Sequence, residues 1–132
     1  MYEYHGWCSL RGSPAGRDDD TQRARGLELV KSFVDTLDWW NGFCALSLYD
    51  GEYFIHLGGF HNRPRGTASD LKHLLELVAR VLPDSYGLVY WKDDEDPAPP
   101  GFNNWHVRVL ACGSVQERFD PFLSPTTPVT ED

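Results

Sequence analysis

The sequence predicts an α+β fold: an antiparallel sheet of about five strands with two helices packed on one face. Three observations carry that reading. Several short segments alternate apolar and polar residues with the period of two that a half-buried strand needs. Two longer segments repeat apolar residues at the spacing of an amphipathic helix. The chain has 132 residues, 41% of them hydrophobic, with five Trp, six Tyr and seven Phe. That is enough to build a core in one domain, 1–132, without metal or disulfide staples.

Tyr2 to Leu10 alternates, with Tyr2, Tyr4, Gly6, Cys8 and Leu10 on one side and Glu3, His5, Trp7 and Ser9 on the other. Gly12-Ser13-Pro14-Ala15-Gly16 breaks this first strand. From about Thr21 to Asp38 the apolar residues Leu27, Val30, Phe33, Val34 and Leu37 recur at helical spacing, and Asn41-Gly42 is a natural stop. Phe43–Tyr49 and Tyr53–Phe60 read as strands joined by Asp50-Gly51, a dipeptide suited to the positive φ angles of a type I′ hairpin turn. Thr67 is a candidate cap for a second helix, whose stripe of Leu71, Leu74, Leu75, Val78 and Leu82 ends at Pro83. Ser85–Trp91 and Trp105–Cys112 form a last pair of strands around a long acidic and proline-rich loop. From Asp120 the tail carries Pro121, Pro125 and Pro128 and is expected to be extended, with Phe122 tucked against the body.

The element order is therefore βαββαββ. A ferredoxin-like arrangement is one topology this order allows, with the first strand central, the last at an edge and the opposite sheet face open. Leu27, Val30, Phe33, Val34, Leu71, Leu74, Leu75 and Val78 are the expected helix core.

Composition excludes several function classes. With 20 Asp and Glu against 12 Lys and Arg, the net charge of −8 disfavours unaided nucleic-acid binding, which relies on cations replacing phosphate counterions. No apolar run approaches the ~20 residues that span a bilayer, so no membrane partner is expected. Three dispersed cysteines and an N-terminus unlike a secretory signal fit a reduced, cytoplasmic setting. The excess acid is concentrated in Asp93-Asp94-Glu95-Asp96, followed at once by Pro97. Four adjacent like charges repel one another, so the run is either a plain solvated loop or a patch that faces a partner. Trp91, on the strand leading into it, is the aromatic candidate beside it.

No catalytic constellation is visible. The chain lacks GxGxxG, a Walker-type loop, HExxH, CxxC and GxSxG, and the run at 93–96 fails the calcium-loop pattern at Ala98 and Asn104. His5, His56, His61, His73 and His106 are scattered, and Cys8, Cys44 and Cys112 are expected inside strands as small hydrophobes. No metal, cofactor or catalytic residue is therefore assigned. One alternative stays open: a small enzyme or ligand-binding module using the open sheet face, where alternation could gather His5, Trp7, His106 and Arg108.

Several segments together resemble a known family. They are Tyr2-Glu3-Tyr4-His5-Gly6-Trp7, Gly87-Leu88-Val89-Tyr90-Trp91-Lys92-Asp93-Asp94-Glu95-Asp96, Asn104-Trp105-His106-Val107-Arg108-Val109-Leu110-Ala111 and Asp120-Pro121-Phe122-Leu123-Ser124-Pro125. In this order they resemble the immunity protein 7 family of bacterial polymorphic-toxin systems, over nearly the whole chain. The resemblance implies a cytoplasmic protein that does no chemistry itself, binds a cognate toxin domain and neutralises it, protecting the producer or its siblings. Asp93, Asp94, Glu95, Asp96 and Trp91 are the expected partner-binding residues, with an acidic surface steering onto a basic toxin.

Overall fold

A computed structural model describes residues 1–12, 20–62, 65–95 and 104–123. The elements run β1 (Tyr2–Leu10), α1 (Asp20–Asp35), β2 (Gly42–Tyr49), β3 (Glu52–His61), α2 (Arg65–Val81), β4 (Tyr86–Asp93), β5 (His106–Ala111) and β6 (Ser114–Phe119). The six strands form one antiparallel sheet in the order β2-β3-β1-β4-β5-β6. Its β2-β3-β1-β4 part, with the two crossing helices, has the ferredoxin-like order that the element pattern allows.

The expected alternation of β1 decides the layers. Tyr2, Tyr4, Cys8 and Leu10 are buried in one cluster with Val30 of α1 and Leu71, Leu74, Leu75 and Val78 of α2. Both helices therefore cover the same sheet face and pack against each other. Leu27, Phe33 and Val34 are only half-buried at the margin of this cluster, because α1 lies towards the β2 edge. Glu3, His5 and Trp7 point to the other, open face.

The structure corrects the sequence reading at several places. The described residues form six strands, since the chain turns at Cys112-Gly113 and returns as β6. Cys112 has φ 53° and Gly113 φ 71°, the left-handed pair of a two-residue hairpin. Cys112 therefore sits in an exposed turn rather than in a strand, and β5 is an interior strand rather than the edge. Helix α1 ends at Asp35, where Thr36 and Leu37 close the last turn onto Phe33 and Val34. Helix α2 begins at Arg65, so Thr67 is a buried first-turn residue and not the cap. The proline-rich run 97–101 and the tail beyond Leu123 lie outside the described residues.

Two close approaches shape the end of the sheet where β1 begins. The Tyr4 ring lies across Gly42 and Gly59, where an added Cβ would meet the Tyr4 hydroxyl. At the opposite end, Ser85 is buried but satisfied: its hydroxyl accepts from Arg11 N at 2.8 Å and donates to Arg11 O at 3.2 Å.

The thiols differ sharply in environment. Burial pushes Cys8 and Cys44 up to about 12, whereas Cys112 is exposed. A disulfide-forming reagent at mildly alkaline pH is expected to titrate one thiol quickly and the other two only on unfolding; three equally fast thiols would contradict this packing. The pH dependence has a definite sign. Both thiols ionise near 9 when unfolded, so the native state holds more protons above that pH, and stability should fall as pH rises from 9 towards about 12.

Candidate protein-binding surface

The acidic run begins inside β4 rather than in a loop. Asp93 is the last residue of that strand, opposite Tyr2, and Asp94 and Glu95 form the turn beyond it. Asp93 Oδ1 accepts the Glu95 backbone N–H at 3.1 Å, and Asp94 Oδ1 accepts from the Met1 ammonium at 2.5 Å. That ammonium is held above its ordinary pKa chiefly by the Asp94 hydrogen bond. The first two carboxylates thus have partners that offset their mutual repulsion, while Asp94 and Glu95 stay exposed. Asp96 lies outside the described residues.

Trp91 points to the helix-covered face, beside the helix layer. Its ring stacks on His106 at 4.1 Å and 10°, Arg108 Cζ lies 5.5 Å from its centroid, and its Nε1 donates to Glu117 Oε1 at 2.8 Å. Arg108 Nε stands 3.5 Å from the same carboxylate oxygen. These contacts hold Trp91 as the wall of a preformed aromatic cluster, in which His106 stacks on Trp91 and meets Phe119 edge-on.

The register also separates the residues of the alternative reading. His106 pairs with Trp91, and Arg108 pairs with Val89 and Glu117, all on the helix side of the sheet. His5 and Trp7 are on the open side. The four expected to share one face are therefore split between two, because alternation within a strand sets parity and pairing sets direction. Among the described residues, no group of three or more His, Cys, Asp and Glu side chains stands close enough to hold a metal ion. No described helix is long and apolar enough to cross a membrane.

Exposed apolar groups gather at the same end of the sheet as the acidic run. Phe119 lies level with His106 and Trp91 through the strand pairing, and Phe122 and Leu123 follow it. Phe122 is 87% exposed, so the expectation that it tucks against the body is corrected. Asp120 instead is buried, with its N–H donating to Trp105 O at 3.0 Å and its side chain accepting from Leu123 N, which turns Phe122 outward. On the other side of β1, a cleft of about 460 Å³ is lined by Asp38, Trp39, Trp40, Phe60, His61 and Asp70, among others. Trp39 Nε1 donates to Asp70 Oδ2 at 3.1 Å, and the Tyr4 hydroxyl is hydrogen-bonded to His61 Nε2 at 2.9 Å. Trp40 beside them is 80% exposed.

One end of the sheet therefore presents carboxylates at Asp38, Asp70, Asp93, Asp94 and Glu95 among exposed Trp40, Phe60, Phe119 and Phe122. Apolar anchors within a charged rim are the make-up of a protein-binding surface, and the sign of this rim suits a basic partner. Sequence reasoning missed Trp40, Phe119 and Phe122. Aromatic residues in polar or proline-bearing connections were the only signal available for them.

The fold and this surface describe an acidic α+β protein with exposed aromatic side chains beside carboxylates at one end of its sheet. The sequence model of the family described as Immunity protein 7 matches residues 1–132, the whole chain, and the chain belongs to that family. Membership marks it as an immunity protein, a class that acts against toxins. No curated protein and no solved structure matches the chain.

Proposed function

We propose that this protein binds a cognate polymorphic toxin in the bacterial cytoplasm and neutralises it by occupying the toxin's surface, without catalysis of its own. The observation that carries this reading is the whole-chain match to an immunity family. The acidic and aromatic sheet end supports it, with Asp93, Asp94, Glu95 and Asp96 as the steering charges, Trp91 as a rigid wall, and Trp40 and Phe122 as anchors. Attraction between these carboxylates and the opposite charge of a basic toxin raises the encounter rate, while the aromatic anchors slow its escape.

The direct test is co-expression with the toxin domain encoded beside this gene. A stable complex, survival of the host and loss of toxin activity at equimolar inhibitor are expected. If the two proteins do not co-purify and the toxin still kills, the reading is wrong. Should toxin activity disappear with far less than one equivalent, the protein would be acting as an enzyme and the stoichiometric reading would fall.

A further inference from the structure

We propose that two copies of this chain associate through β2, antiparallel about a two-fold axis passing at Leu46, so that two six-stranded sheets become one. The sheet has two edges, and they differ. β6 is six residues long, carries Glu117 and Arg118, and is followed at Asp120 by Pro121, all features that discourage further pairing. β2, Gly42-Phe-Cys-Ala-Leu-Ser-Leu-Tyr49, is eight residues long and contains no charged residue and no proline. Its Phe43, Leu48 and Tyr49 side chains are more than half exposed. An unguarded apolar edge of this length is a template for another strand.

The backbone phase fits such pairing. Phe60 N donates to Asn41 O, and the Tyr49–Glu52 pair closes a two-residue hairpin, so Phe43, Ala45, Ser47 and Tyr49 turn their amides towards β3. Gly42, Cys44, Leu46 and Leu48 then direct theirs outward. An axis at Leu46 places Leu46 opposite its own copy and Cys44 opposite Leu48, all with outward amides in register.

The side chains fit as well. On the open face Phe43 meets Tyr49 of the second copy, and Ala45 meets Ser47, so two small pairs lie between two aromatic pairs. On the helix face Cys44 meets Leu48. No like charges are opposed, and the same patch serves both copies, as an isologous two-fold contact requires. A second copy is therefore the occupant that this edge is matched to. Asp93, Asp94 and Glu95 at the end of β4 and Phe122 beyond β6 stay clear of this seam, whereas Trp40, just before β2, stands beside the Asp50-Gly51 turn of the second copy. The pairing is argued from β2 alone and does not rest on the proposed toxin contact. With a net charge of −8 on each chain, association should strengthen as salt screens the repulsion.

The test is sedimentation equilibrium of the full chain without toxin, over a range of concentration and salt. The expected result is a species of twice the 15.0 kDa chain mass, favoured by concentration and salt. Phe43→Lys with Tyr49→Lys opposes cations at both ends of the pairing and should give a monomer. Phe43→Lys with Tyr49→Glu opposes unlike charges in the same register and should restore the dimer. In the unmodified protein, amides of Cys44, Leu46 and Leu48 should exchange at least about 10-fold more slowly at high than at low concentration. Three results would each overturn the proposal: a monomer throughout, a dimer that ignores the Lys pair, or exchange of these amides independent of concentration. Protection of β2 amides only when toxin is added would assign the edge to the toxin instead.

Discussion

Changing Asp93, Asp94 and Asp96 to Asn and Glu95 to Gln together is expected to slow association with the cognate toxin about 10-fold or more at low salt. Rim charges act on encounter, so dissociation should change little. The difference should shrink near about 0.5 M salt, where the screening length is about 4 Å. Stability should shift by less than about 1 kcal/mol, because the Asp94–Met1 pair is exposed to solvent and Asn at position 93 still accepts from Glu95 N. A different outcome would identify a different role. If single substitutions cost about 2–5 kcal/mol and act on dissociation, those carboxylates pair with toxin cations in a desolvated centre. Neither rate constant moving at either salt would leave the run a solvated turn, and the steering role would be lost. Stopped-flow kinetics at two salt concentrations distinguishes the three.

Leu74→Ala is expected to cost about 2–5 kcal/mol in stability, measured by urea unfolding. Leu74 is fully buried in α2, within the cluster that joins both helices to Tyr2, Tyr4, Cys8 and Leu10 of β1. Truncation removes transfer energy and leaves a cavity that rigid β-strand neighbours fill poorly. Leucine and alanine have similar helix propensities, so the helix itself offers little compensation. Glu76→Ala, on the exposed side of the same helix, should stay within about 0.5 kcal/mol. Equal stability of the Leu74 variant and the parent would mean that α2 presents another face to the sheet.

Much of the architecture was legible where local chemistry and tertiary demand agree. The period of two in β1, the stripe of α2 and the Asp50-Gly51 turn each state their conformation within a few residues. The acidic run was legible too, since charge is a property of composition. The hairpin at Cys112-Gly113 was not. Cysteine has no special tolerance for positive φ, so the turn carries only one of the two usual signals, and β6 went unseen with it. That single omission moved β5 from the interior to the edge.

By itself, then, the sequence determined the α+β class, the two helical stripes, the parity of β1 and the family to which the chain belongs. Only the tertiary structure decided that His106 and Arg108 join Trp91 beside the helix layer while His5 and Trp7 remain on the open face. It also decided that Trp40 and Phe122 stand in solvent while Trp105 is buried. The physical reason is common to these cases. Alternation and hydrophobicity are written residue by residue, but the direction of a face and the exposure of a ring depend on register and on what packs from distant parts of the chain.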